Sequence, residues 1–348
     1  MERTANSLDD VVIRAAMAPA AGEVVDLAHA VARVRQVTDT IRANVERVIV
    51  GKAAVIDLLL VALLSEGHTL IEDVPGMGKT MMARSLARSI SSAFARIQGT
   101  ADLLPGDITG ISYFNQKTGD WEFRKGAVFA NILLVDEINR IAPRTQSALL
   151  EAMEERQVTL DGHSEPLPEL FMVVATQNPI EFEGTYPLPE AQLDRFMLKI
   201  IIGYPDRDAE RLMLGNWNSG QYRSRAASQE LAGSAVVSPK DILACRNCLG
   251  DVKVEESLFD YLMKLVEKTR QLSDIQLGAS PRAAVYWLAA AKAHAAMSGR
   301  DFVTPDNIKF VAHAVLRHRL ILTPDCELEG INTDQVVDKV LNLVAVPR

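Results

Sequence analysis

The stretch Leu70-Ile71-Glu72-Asp73-Val74-Pro75-Gly76-Met77-Gly78-Lys79-Thr80 decides the fold. A short apolar run ends in a Gly-rich turn, followed by Lys-Thr and a segment with helical spacing. Gly76 and Gly78 carry no Cβ, so backbone N–H groups can come close to a phosphate. A helix starting near Lys79 adds the positive end of its dipole to the same anion. In that layout Lys79 reaches the β- and γ-phosphates and Thr80 Oγ holds Mg²⁺. The phosphate-loop pattern places a glycine where this chain has Asp73. Taken alone, the stretch also reads as a plain Pro-Gly turn feeding a helix, so its companions must decide.

Short apolar runs with strand character follow at 68–72, 94–98, 132–135, 171–176 and 198–202, and helix-like segments separate most of them. Strands alternating with helices predict an α/β domain whose parallel sheet is covered on both faces. Ligands of such sheets bind beyond the carboxyl ends of the strands, and the loop at 73–80 follows the first run. Two stretches read as hairpin inserts: 111–123, turning at Thr118-Gly119-Asp120, and 157–167, turning at Asp161-Gly162. Beyond Pro205 strand signals vanish and helix starts become explicit at Ser238-Pro239, Ser280-Pro281 and Thr304-Pro305, with Thr333 expected to cap the last helix. Leu258, Tyr261, Leu262, Leu265 and Val266 fall on one helical face. The expected organisation is an N-terminal extension at 1–32, an α/β nucleotide-binding domain at 33–205, and a connection plus smaller all-helical domain at 206–348.

With 348 residues the chain can bury two cores. A formal net charge of −8 argues against a broad nucleic-acid-binding surface. No apolar run is long enough for a membrane span, so direct membrane insertion is not expected. Glu2, Asp9, Asp10 and Arg14 do not fit a secretory signal, and three cysteines cannot all pair, which together predict a reducing cytoplasm. Cys245 and Cys248 have CxxC spacing but lack a second ligand pair, so they read as structural thiols. The histidines are scattered, and His294, His313 and His318 are expected to serve packing or surface roles.

The run Ile132–Val135 delivers Asp136 and Glu137 to a strand end. Asp136 would hold Mg²⁺ through water, and Glu137 would polarise the water attacking a γ-phosphate. An Asp-Glu pair is organised for hydrolysis, whereas a phosphate-loop kinase delivers to a substrate hydroxyl. Phe171–Thr176 ends in Gln177-Asn178-Pro179, which places Asn178 to orient that water or meet the γ-phosphate. Arg195, in Leu193-Asp194-Arg195-Phe196, lies far from the loop in sequence and can serve a site on another subunit. A guanidinium offered that way is worth about 10³–10⁵ in rate, or roughly 4–7 kcal/mol. Arg282 sits in the first turn of a helix, where the dipole does not favour a cation. That placement makes sense if it is aimed at a phosphate.

These stretches, together with Gln146–Glu154, closely resemble the MoxR family of AAA+ ATPases over roughly residues 35 to 345. The resemblance implies an AAA+ P-loop NTPase core with a parallel five-stranded sheet and a helical lid. It implies ATP and Mg²⁺ as cofactors, a homo-oligomeric ring, usually a hexamer, and ATP held between subunits. Pro75, Gly76, Met77, Gly78, Lys79 and Thr80 would then bind the phosphates. Val50 and Gly51 would pack on adenine, Asn178 would be sensor 1, Arg195 the arginine finger and Arg282 sensor 2. Asp73 is common in this family, and Lys52 departs from a position often filled by Gln. MoxR-type proteins act as chaperones in metalloenzyme maturation or complex assembly, often with a partner carrying a von Willebrand factor A domain. A magnesium-chelatase ATPase subunit shares the inserts and the partner type and is the nearest rival. A DNA-acting AAA+ protein is disfavoured by the acidic balance. A small-molecule kinase is disfavoured by Glu137, Asn178 and Arg195 together.

Overall fold

The computed structural model describes residues 27–72, 78–160, 162–178, 184–219 and 235–347. Asp73, Pro75, Gly76 and Met77, and nearly all of the expected N-terminal extension, lie outside the described residues. The chain opens with α1 (Leu27–Glu46) and α2 (Ala53–Leu64), then β1 (Thr69–Glu72), α3 (Lys79–Ser89) and β2 (Phe94–Gln98). The expected boundary at residue 32 falls inside α1. Next come α4 (Pro105–Thr109), the hairpin β3 (Gly110–Asn115) and β4 (Asp120–Lys125), and β5 (Ile132–Asp136). α5 (Pro143–Glu155) leads to the hairpin β6 (Gln157–Leu160) and β7 (His163–Pro166) and to β8 (Met172–Gln177). α6 (Glu190–Leu193), β9 (Leu198–Ile201) and α7 (Arg207–Asn218) complete this half.

β2, β5, β8, β1 and β9 lie side by side in that order, every pair parallel, as the alternation of strands and helices predicts. β5 is buried along its whole length, and its side chains point alternately to the two faces. Ile132 and Leu134 join the cluster formed with α1, α2 and α3, whereas Leu133 and Val135 join Leu149, Leu150 and Met153 of α5. Both expected inserts are antiparallel hairpins projecting from this sandwich. The longer one leaves Trp121 73% exposed, edge-on to Phe114.

The second half holds α8 (Pro239–Leu249), α9 (Glu256–Gln271), β10 (Ile275–Leu277), α10 (Pro281–Met297), α11 (Pro305–Leu316), β11 (Ile321–Leu322), α12 (Pro324–Leu328) and α13 (Thr333–Leu343). Ser238, Ser280 and Thr304 are the N-caps, each followed by proline, as expected. Two expectations are corrected. The cap of α13 is Asn332, not Thr333: Asn332 Oδ1 accepts from Gln335 N, and Gln335 Oε1 accepts from Asn332 N, a reciprocal capping box. The lid is also not wholly helical, because β10 and β11 pair antiparallel. Strands of three and two residues are too short to produce a readable period-two pattern. The connection expected after residue 205 begins as α7, and residues 220–234 lie outside the described residues.

Candidate active site

Of the polar residues expected to act on nucleotide, Lys79, Thr80, Asp136, Glu137 and Asn178 lie at the carboxyl edge of the sheet. Gly78 adopts a left-handed conformation with φ +79° and starts α3, so Lys79 and Thr80 form its first turn. Thr80 Oγ1 donates to Asp136 Oδ2 at 3.2 Å. Asp136 ends β5 and is buried. Thr176, two residues before Asn178, donates to the other oxygen, Asp136 Oδ1, at 3.3 Å. Its hydroxyl oxygen also accepts from Glu137 N at 3.0 Å, so one side chain aligns both acidic residues. Glu137 follows with φ +56°, a left-handed turn that is uncommon for a side chain this long. Its carboxylate lies 3.1 Å from Arg140 Nε. Gln146 holds the turn after Glu137 by donating to Ile138 O and to Tyr186 O, each at 3.0 Å. Asn178 leaves β8 at the same edge and is buried.

Gly99, just past β2, is required by a close approach. Its N–H donates to Asp136 O at 2.7 Å, and a Cβ there would lie 2.2 Å from Glu137 O. The expected adenine-side segment is close by. A Cβ on Gly78 would lie 4.0 Å from Ile49 Cδ1, and Val50 and Gly51 follow Ile49. Gly51 has φ +72° and abuts α7, where an added Cβ would meet Ala209 Cβ at 2.5 Å. Lys52 has a local use: Nζ donates to the carbonyls of Ile202, Gly203 and Tyr204 at 2.8–3.0 Å and ties α2 to the end of β9.

Mg²⁺ prefers hard oxygen ligands and usually keeps several waters. The hydroxyl of Thr80 beside the buried carboxylate of Asp136 is a donor set of that kind. One cation already sits there. Arg96 Nε of β2 donates to Asp136 Oδ2 at 2.7 Å, and Arg96 Nη2 donates to Gln98 Oε1 at 3.0 Å. The Arg96 side chain is 44% exposed, which leaves it room to swing away.

Arg195 and Arg282 are elsewhere. Arg195 precedes β9, and Met197 N donates to His68 O just before β1. β1 and β9 run parallel with Thr69 opposite Leu198, so Arg195 lies at the amino edge of the sheet. The carboxyl edge is roughly 13 Å away along a four-residue strand. Arg195 Nη2 sits 2.9 Å from Glu154 Oε2, and Arg282 Nη2 donates to Glu154 Oε1 at 3.0 Å. Thus Thr80, Asp136, Glu137 and Asn178 are brought together, while Arg195 and Arg282 form a second group around Glu154. Sequence reasoning missed Arg96, Gly99, Thr176 and Glu154. Thr176, as a polar residue closing an apolar strand, was the one with a visible signal.

Cys245 is buried among apolar residues, which pushes its thiol up to about 12, and burial raises Cys248 as well. Neither has the depressed pKa of a reactive cysteine.

A parallel sheet with Gly78-Lys79-Thr80 opening the helix after β1, carboxylates at the end of β5 and a helical lid defines the class: a P-loop nucleotide-binding protein. A profile described as "ATPase family associated with various cellular activities (AAA)" matches residues 68–198, and one described as "AAA lid domain" matches residues 267–340. YeaC of Bacillus subtilis is 47% identical, covering 87% of this chain and 93% of its own. The chaperone MoxR1 of Mycobacterium tuberculosis is 42% identical, covering 88% and 81%. A crystal structure of a protein from Cytophaga hutchinsonii superposes with a TM-score of 0.83 at 40% identity, covering 92% of this chain and 98% of its own. The chain belongs to the MoxR family of AAA+ ATPases.

Proposed function

We propose that this protein hydrolyses ATP with Mg²⁺ as one subunit of a ring, and uses the turnover to drive maturation or assembly of a client protein. The observation that carries this reading is the Thr80–Asp136–Glu137–Thr176 constellation at the carboxyl edge, with Arg195 at the opposite edge of the same sheet. Lys79 and the amides at the start of α3 would hold the β- and γ-phosphates. Thr80 and Asp136 would hold the metal, whose chemistry is to draw charge off the phosphate oxygens. Glu137 would take the proton of the attacking water, with Asn178 orienting that water. Arg195 is too far from its own phosphate loop to serve it, which supports service to the site of a neighbouring copy. The hexameric state, a von Willebrand factor A partner and a cytoplasmic setting are part of this proposal and rest on the family. No helix among the described residues is long and apolar enough to cross a membrane.

Phosphate release from Mg–ATP, alone and with a von Willebrand factor A partner, tests the proposal. Glu137→Gln should bind a fluorescent ATP analogue as the wild type does and lose about 10²-fold or more in turnover. Wild-type protein that releases no phosphate under either condition, or a Glu137→Gln variant that turns over normally, would overturn the reading.

A further inference from the structure

We propose that Glu154 is a positioning residue that joins Arg195 and Arg282 into one unit, through which core and lid act together on the phosphate held by the neighbouring subunit. The inference rests on the oligomeric ATPase reading above. Glu154 is the penultimate residue of α5, and each of its carboxylate oxygens takes one guanidinium, at 2.9 and 3.0 Å. Two positive groups and one negative leave a net charge of +1 on the cluster. The three side chains are 28–31% exposed, so the surplus charge faces solvent where an anion can reach it.

The cluster is also where lid and core are fastened. Arg282 starts α10, and the cap of that helix, Ser280, donates from Oγ to Asp194 Oδ2 at 3.4 Å. Asp194 is the chain neighbour of Arg195. Also from the lid, Arg319 donates to Asp194 O, Phe196 O and Met197 O, gripping the backbone on both sides of Arg195. A lid rotation therefore carries Arg282 with it and pulls on the segment that bears Arg195. Glu154 keeps the two guanidiniums side by side despite their like charge. Without it they would separate, and each would lose the orientation that Glu154 provides.

The alternative is an ion-pair cluster that only holds lid to core, and subunit mixing separates the two. Glu154→Ala should lower kcat by about ten- to a hundredfold. Its affinity for a fluorescent ATP analogue should stay within about twofold, because its own phosphate site is untouched. Mixed rings of Glu154→Ala and Lys79→Ala subunits should regain activity, since the Lys79→Ala subunit donates an intact arginine unit to an intact site. Mixing Glu154→Ala with Arg195→Ala should regain none. Glu154→Gln, which keeps one acceptor oxygen, should lie between wild type and Glu154→Ala. An unchanged or raised kcat, a loss of nucleotide affinity, or a loss that Lys79→Ala subunits do not rescue would overturn the inference. Arg195→Ala mixed with Lys79→Ala is the control for the underlying reading: rescue there without rescue of Glu154→Ala sinks this inference alone. Failure of both sinks the neighbour-site reading and the inference with it.

Discussion

Replacing Arg319 by methionine removes the most heavily used side chain at the junction of lid and core. All five guanidinium N–H groups are spent: Nε on Asp194 Oδ1 at 2.6 Å, Nη1 on Met197 O and Val315 O, and Nη2 on Asp194 O and Phe196 O. The side chain is 2% exposed and lies over the Tyr286 ring. Burial pulls its pKa down, and the Asp194 carboxylate opposes that pull. Methionine fills similar space but leaves Asp194 and the surrounding carbonyls without these donors. Breaking a buried pair from one side costs about 3–5 kcal/mol. Asp194 is 23% exposed and can regain some water, so the lower end applies, about 3 kcal/mol. For a domain of this size that is a fall of roughly 6–12 °C in Tm. The control is Arg317→Met, whose pair with Asp334 is partly exposed and worth at most about 1 kcal/mol. Differential scanning calorimetry of the two variants decides the matter. If Arg319→Met melts within about 1 °C of the wild type, or no lower than Arg317→Met, this account of the junction is wrong. Arg319→Lys should recover only part of the loss, because an ammonium cannot reproduce a planar fork.

Two further outcomes are expected. Arg96→Met should reduce the Mg²⁺ needed for half-maximal binding of a fluorescent ATP analogue by about fivefold, the equivalent of an exposed pair of about 1 kcal/mol; a higher Mg²⁺ requirement would show that Arg96 supports the metal site rather than competing with it. Stability should also fall as pH drops below about 6.5, the unfolded histidine value. Burial pushes His68 down to about 3 and His318 well below its usual range, each made worse by a neighbouring arginine. Both are neutral in the fold, so below that pH the unfolded chain binds more protons and is favoured. The stabilisation is complete above pH 6.5, and two such groups remove about 3 kcal/mol by pH 5.5. A urea midpoint that is flat between pH 7.5 and 5.5 would refute this.

The strands and the polar residues at their carboxyl ends were legible because they are local. Asp136 and Glu137 are covalently attached to the end of an apolar run, and Lys79 and Thr80 to the start of a helix. Once the run is a strand in a parallel sheet, connectivity alone carries the attached residues to the same edge. The lid's caps were legible for the same reason, since Ser280 and Pro281 act on the next turn of their own backbone. The β10–β11 ladder was not, because strands that short leave no pattern.

By itself the sequence determined the candidate site, the elements that frame it and the residues at its acidic centre. Tertiary structure decided which cations stand where. Arg96 meets Asp136 across 40 residues, Arg282 meets Glu154 across 128, and Arg319 meets Asp194 across 125. No periodicity links such pairs, because their meeting depends on how whole helices pack against a sheet. For the same reason Arg195 and Arg282, which look alike in sequence as distant arginines, become one group only when lid and core close around Glu154.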